Sequence, residues 1–295
     1  LERVSWQPSE SIPGSTPIDL SLGWRNNFLS AALPTQDYKL DFGDGFKAPL
    51  SFRADAFELG FSLERQALVL PALHLGNDDI SLDASMRLLL ADKLHLALSS
   101  RVKLLNAANA GRYFPRHAMG ESLADYLEGA IKAGRSDDAA VVWHGELAGF
   151  PYQDHSGVFQ AGFNLTHAEY AFQPDWPAVT DLSLKALFEN ARMDLWVNKG
   201  KLLNVAADGA HVYIPKMDHR SLLRVEAQLA TQGQDATEVL QRSPLKDSVG
   251  ITLDVVQVQG PVSGKLDLSI PLYDGEEAQI LGDVQFAGVP VYIRE

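Results

Sequence analysis

Along most of this chain apolar and polar residues alternate with a period of two, and that period dictates strands with one dry face and one wet face. Ile18, Leu20, Leu22 and Trp24 alternate with Asp19, Ser21 and Gly23; Tyr38, Leu40 and Phe42 enclose Lys39 and Asp41; Phe57, Leu59, Phe61 and Leu63 follow the same rule. Ile80, Leu82, Ala84, Met86 and Leu88 are interleaved with Ser81, Asp83, Ser85 and Arg87, and Leu94, Leu96 and Leu98 resume the pattern. The second half continues with Phe159 to Leu165, Leu182 to Phe188, Met193 to Val197, Leu203 to Ala207, Leu223 to Leu229, Ile251 to Leu253, Val262 to Ile270 and Val289 to Ile293. The pattern predicts about fifteen strands of ordinary length. The connections between them are short and polar, so neighbours are antiparallel rather than joined by βαβ crossovers. Asp44-Gly45 supplies hairpin chemistry, since both residues tolerate positive φ.

Two segments leave this rhythm. Leu123, Tyr126, Leu127, Ala130 and Ile131 fall at helical spacing and predict an amphipathic helix over 119–133, with Gly134 as its stop. A shorter helical turn is predicted over 235–242, ended by Pro244. Neither is long enough to cover a sheet. The apolar faces must therefore meet one another or a ligand.

The chain has 295 residues, 38 acidic against 25 basic, for a formal charge of -13. That balance provides no cationic footprint for a phosphate backbone, so nucleic acid is not an expected partner. An apolar contact with lipid tails is unaffected by it. No cysteine is present, which removes disulfides, thiolate metal sites and cysteine nucleophiles from consideration. Leu1-Glu2-Arg3 leads straight into polar sequence, as expected of a fragment of a longer chain.

The motifs of chemistry are missing. None of the eight histidines forms a zinc-motif spacing or an i, i+4 pair on a helix, and His95, His167 and His211 fall on the polar phase of strands, facing water. Asn77-Asp78-Asp79 lacks the spacing of a calcium loop and reads as a turn. Asp137-Asp138 and Glu276-Glu277 are expected in loops, as solvated charge. There is no nucleophile elbow, phosphate loop or dinucleotide fingerprint. No enzyme and no cofactor are expected.

Periodicity leaves two architectures open. The strands either form two packed sheets that bury each other's apolar faces, or one long sheet curled into an open trough whose lining stays apolar for a ligand. The first suits a scaffold or interaction module that binds a partner at a sheet edge.

Several strings decide between them by resemblance. Tyr113-Phe114-Pro115, Met119-Gly120, Tyr126-Leu127, Ala130-Ile131, Gly134-Arg135, Gly145 and Phe150-Pro151-Tyr152 resemble the YhdP branch of the AsmA-like bacterial envelope proteins. So do Phe172-Gln173-Pro174-Asp175-Trp176-Pro177, Ser243-Pro244-Leu245-Lys246-Asp247-Ser248-Val249-Gly250 and Leu266-Asp267-Leu268-Ser269-Ile270-Pro271-Leu272. The matched strings span about residues 113–293; residues 1–112 match in style alone. The resemblance implies a periplasmic β-groove, tethered to the inner membrane by an N-terminal anchor absent from this chain. It implies a groove that conducts phospholipid between the inner and outer membranes, with the outer membrane or its proteins as partners at the far end. On this reading residues 1–295 are a single elongated groove segment of a longer protein, a mainly β, curled antiparallel sheet. Acyl chains are the partners. The expected lining is Leu20, Leu22, Leu40, Phe42, Leu59, Phe61, Leu82, Met86 and Leu96 in the first part of the chain. Phe163, Leu165, Leu182, Leu184, Leu195, Val197, Val205, Val225, Leu229, Leu266, Leu268 and Ile270 follow in the second. The aromatic-proline strings are expected to be structural, with Pro115, Pro151, Pro174 and Pro177 at strand ends, and Phe172 and Trp176 packing the helix on the sheet rim.

Overall fold

A computed structural model describes residues 1–9, 13–244, 246, 256–258, 260–273, 275–276, 278–286 and 291–293. The predicted strand at Ile251 to Leu253, the position of Val289, and Leu245 with 247–250 of the Ser243–Gly250 string lie outside the described residues. The chain is mainly β. Nineteen of the described strands belong to one open antiparallel sheet, and a separate ribbon pairs two more. By contacts the chain divides into two compact units: Leu1–Gly129 with Arg135–Phe163, and Ala130–Gly134 with Asn164–Glu295.

The first unit starts with β1 (Val4–Trp6), β2 (Gly14–Ile18), β3 (Ser21–Arg25), β4 (Phe28–Leu33), β5 (Gln36–Asp41), β6 (Leu50–Ala54) and β7 (Phe57–Ser62). The long strands β8 (Ala67–Gly76), β9 (Ile80–Leu90) and β10 (Leu94–Leu104) follow, then α1 (Arg116–Met119), α2 (Glu121–Ala130) and β11 (Ile131–Glu146). The predicted strand through Ile18 to Trp24 is two strands, and β3 turns into β4 at Asn26-Asn27. Both residues have positive φ, 49° and 59°, as a two-residue turn matched to strand twist requires. Asp44-Gly45 does sit between the paired strands β5 and β6, but as part of the 3-10 turn Gly43–Gly45 in a longer connection.

At β8 the sheet forks. Its register shifts between Leu70 and Leu73, and Pro71, which has no N–H to donate, sits in that irregularity. Residues before the bulge pair with β7 (Phe61 opposite Leu68), and residues after it pair with β6 (Ala54 opposite Leu75). One arm is β7–β4–β3; the other is β6–β5–β2–β1. The arms close on each other through a buried cluster of Ile18, Leu33, Tyr38 and Ala54, flanked by Leu20, Ala31, Phe57, Leu73 and Leu75. Tyr38 and Phe57, one from each arm, have ring centroids 5.9 Å apart.

The predicted helix over 119–133 is shorter. It begins after Gly120, whose φ of 84° separates α1 from α2, and it ends at Ala130. Ile131 opens β11 directly, and Gly134, expected as a helix stop, lies within that strand. Asp137 and Asp138, expected in a loop, are in β11 as well, with Asp137 paired to Arg135.

In the remainder of the chain β12 (Val158–Tyr170), β13 (Val179–Glu189), β14 (Arg192–Leu202), β15 (Val205–Ala206), β16 (His211–Ile214) and β17 (Leu222–Gln232) come in sequence. They are followed by α3 (Gly233–Gln241), which matches the predicted turn over 235–242 within two residues, β18 (Val256–Val258), β19 (Pro261–Pro271), β20 (Gln279–Phe286) and β21 (Val291–Ile293). β18 and β21 form the ribbon. The strand expected over 203–207 is reduced to the two residues of β15, because Leu203 turns at a φ of 55°.

Candidate functional site

In the first unit the strand registers join the apolar phases into one lane. Trp24 lies opposite Leu29, Leu29 opposite Phe61, Phe61 opposite Leu68, Leu68 opposite Leu88, Leu88 opposite Leu96, and Leu96 opposite Gly145. A parallel row two residues along contains Leu70, Met86, Leu98 and Trp143. Cross-strand apolar neighbours on one face are the stabilising unit of such a sheet. Yet Leu68, Met86, Leu88, Leu96 and Leu98 are only half-buried, and Trp24 is 59% exposed. Among the described residues nothing in the unit covers the lane fully.

The expected lining residues divide accordingly. Leu59, Phe61, Leu82, Met86 and Leu96 are half-buried on the lane's face, and Leu22 stands exposed on β3. Leu20 packs against the closed cluster of the arms instead. Leu40, opposite Leu50, shares the face of buried Tyr38; Phe42 lies just past β5 and packs on Phe46 with ring centroids 5.0 Å apart.

Beyond Gly145 the lane meets an aromatic nest that periodicity did not reveal. Trp143 lies 5.1 Å from Phe150 and 5.0 Å from Phe159, centroid to centroid. Tyr152 is 1% exposed; its hydroxyl accepts from Trp143 Nε1 at 2.7 Å and donates to the Glu146 carbonyl at 2.8 Å. A Cβ at Gly145, Gly149 or Gly157 would come within 2.8, 3.1 or 2.5 Å of the Tyr152 ring. Those three glycines make room for the ring, and their spacing around Phe150-Pro151-Tyr152 is the signal in the sequence that could have located the nest.

The second unit carries a lane of its own. Ala186 lies opposite Leu195, Leu195 opposite Val212, Val212 opposite Val225, and Val225 opposite Leu268. Leu195, Val197, Val225, Leu229, Leu266, Leu268 and Ile270 are half-buried, as is Leu165 on β12; Phe163, on the same strand but the last residue of the first unit, is half-buried too. Leu182, Leu184 and Val205 are buried, and Ala186 is wholly so, which makes β13 the deepest strand of this face.

On the opposite face of that unit, polar side chains form a network. Asp194, 4% exposed, receives paired hydrogen bonds from the Arg192 guanidinium and lies 2.9 Å from His211 Nε2. These hydrogen bonds, Arg192's first, hold the Asp194 carboxyl below the usual carboxylate range against the opposing effect of burial. His211 was expected to face water. It is instead half-buried, stacked between Trp196 at 5.5 Å and Tyr213 at 4.6 Å, because Trp196 lies directly opposite it on β14 and Tyr213 two residues along β16 on the same face. His95 is likewise half-buried, edge-on to His144 at 4.9 Å, while His167 is exposed at a φ of 51°. Phe172 and Trp176 pack on one another at 5.5 Å.

Asn77 bears out the reading of its segment as a turn, its Oδ1 accepting from the Asp79 and Ile80 amides at 2.9 and 3.0 Å. Among the described residues no group of three or more histidine or carboxylate side chains is placed to hold a metal ion, and no helix is long and apolar enough to cross a membrane.

The family model of the YhdP protein matches residues 1–295. The chain belongs to the YhdP family. The match takes in residues 1–112, where the sequence strings alone did not reach. In the same family, the "Intermembrane phospholipid transporter YhdP" of Escherichia coli (strain K12) is 30% identical over 302 residues, 99% of this chain and 23% of the relative. This YhdP-family chain thus spans about a quarter of the length of the relative it matches. No solved structure matches.

Proposed function

We propose that this chain is a periplasmic segment of an intermembrane phospholipid transporter whose apolar lanes carry acyl chains. The observation that supports the reading best is the first unit's lane, apolar across seven strands by register, exposed at Trp24 and Leu29 and half-buried from Phe61 to Leu96. Six strand spacings of about 4.8 Å give it about 29 Å, roughly twice the depth of one bilayer leaflet's hydrocarbon. An apolar surface of that extent marks a binding site in a protein that folds in water.

Transfer needs no bond chemistry from the chain, and the reading is of a passive, non-enzymatic conduit. Each CH₂ withdrawn from water gains about 0.8 kcal/mol. A flat lining of Leu, Val, Ile, Ala and Phe offers that gain equally at successive positions, so a chain is held in the lane without a point at which it is trapped. Inner-membrane anchorage and delivery to the outer membrane belong, in this reading, to the rest of the longer protein.

Native mass spectrometry of the purified chain tests it. Co-purified phospholipid is expected, and Leu88→Asp and Leu268→Asp should each reduce it while leaving the far-ultraviolet circular dichroism unchanged. A chain that is lipid-free in every preparation sinks the proposal.

A further inference from the structure

A cleft of about 1000 Å³ in the first unit lies at the strand ends rather than on the lane. Leu50 and Ser51 of β6, the turn Asn77–Asp79, the 3-10 segment Ala107–Tyr113 and Glu128 of α2 contribute to its walls. Its charges are mixed. Lys47 and Arg112 bring two cations; Asp78, Asp79 and Glu128 bring three acids. Asp79 is buried and receives hydrogen bonds from Asn109 at 2.6 Å, Arg112 at 3.1 Å and Tyr113 at 3.0 Å, so it serves to fix Arg112 in place. The Arg112 side chain nonetheless remains 63% exposed, and Lys47, paired with Glu128, remains 56% exposed.

One wall of the cleft is the margin of the apolar face. Tyr113 lies 6.3 Å, ring to ring, from Phe52, which is opposite Tyr38 and on the same face of β6 as Leu50 and buried Ala54. Cations and acids therefore meet in a space that borders apolar side chains. We propose that this cleft is a subsite for the zwitterionic phosphoethanolamine head of a glycerophospholipid whose acyl chains lie on the lane's face, where Leu82 of β9, three residues beyond Asp79, is half-buried. Lys47 and Arg112 take the phosphate, and Asp78 and Glu128 take the ammonium. The proposal rests on the lipid-conduit reading above and adds the head group to it.

The charge balance selects the zwitterion. A head that is only anionic draws Lys47 from Glu128 and leaves that carboxylate, with Asp78, facing no cation, whereas a phosphate with an ammonium beside it answers both. The Lys47–Glu128 pair reaches solvent and is weak, so exchanging it for the two ends of the head costs little. Weak, partly exposed contacts of this kind discriminate without trapping.

The test is titration of the full 295-residue chain with dihexanoyl phosphatidylethanolamine, dihexanoyl phosphatidylglycerol and free phosphoethanolamine, for the wild type, Lys47→Gln/Glu128→Gln and Asp78→Asn. The double variant removes a pair together and leaves no lone charge; Asp78 is in an exposed turn. The wild type should favour the ethanolamine lipid by about fivefold, the effect of roughly 1 kcal/mol. In both variants the ratio should fall toward one, with the melting curve unchanged, and the free head should bind more weakly than the lipid. Equal binding of the two lipids, or a preference that neither variant alters, overturns the subsite and leaves the conduit standing. Failure to bind either lipid overturns both. Free phosphoethanolamine binding as tightly as the lipid, with the same dependence on these residues, assigns the cleft to a soluble amine phosphate and overturns the proposal too.

Discussion

At the arms of the first unit Ile18, Leu33, Tyr38 and Ala54 are buried against one another, whereas across β8 to β10 Leu68, Leu88 and Leu96 remain half-exposed. Both sets occupy the apolar phase of antiparallel strands, and both face the same way through the registers that join β4, β7 and β8. The difference lies in what stands opposite. Where Pro71 splits the edge of β8 between two partners, the sheet forks and the arms can meet; where β9 and β10 pair along their whole length, no second layer forms among the described residues. Alternation specifies a face, and topology decides whether the protein covers it itself.

A charge on each face should separate the two most strongly. Leu33→Asp places an unpaired carboxylate in the closed cluster and is expected to cost more than about 4 kcal/mol, abolishing cooperative unfolding of that unit in urea. Leu88→Asp, on the lane, should cost about 1–2 kcal/mol, since much of the new charge is reached by water. If the two variants lose the same stability, the lane is closed core and the contrast fails.

The aromatic nest sharpens the comparison, because it is a closed site at the end of an open lane. Tyr152→Phe keeps the ring among its glycines but leaves the Trp143 N–H and the Glu146 carbonyl without their partner. The expected loss is about 1–3 kcal/mol by chemical denaturation, with lipid capture unchanged. A variant of native stability that loses lipid would make Tyr152 part of the binding surface instead.

The lane residues were legible in the sequence because their signal is local: Leu82 to Leu88 and Leu94 to Leu98 each display the full period, and their register follows from a short connection. The fork was not legible. β8 reads as a near-continuous apolar run, Ala67-Leu68-Val69-Leu70-Pro71-Ala72-Leu73, which periodicity cannot distinguish from a buried helix, and its two partners are fixed only by tertiary pairing. The end of α2 was hidden by Ile131, which continues the helical spacing by one residue although its β-branched side chain already belongs to β11. Tyr152 and the cleft at Asp79 were missed for different reasons. The nest around Tyr152 falls within residues 143–159, but its signal is a set of glycines rather than a hydrophobic period. The cleft is assembled from segments far apart in the chain, Asp79 with Asn109, Arg112 and Tyr113, and no spacing in one window announces such a set.

The smallest expected effect concerns the polar face of the second unit, which is held by charge rather than by apolar cover. Asp194 has its folded carboxyl below the ordinary range, chiefly through Arg192, then through His211. A lowered folded value means that its contribution is fully present above the unfolded value of about 3.9 and is lost as the pH falls through the lower folded value. Asp194→Asn replaces charge-assisted hydrogen bonds by neutral ones and should cost about 1 kcal/mol at neutral pH. Urea titrations of wild type and variant should therefore differ at pH 7, remain apart at pH 5, and converge below pH 4. The apolar lanes contain none of these groups, so lipid retention at pH 5 should be the same in both proteins. A stability gap that persists unchanged into strong acid would show that Asp194 acts through packing alone, and the two faces would then be held by the same physics.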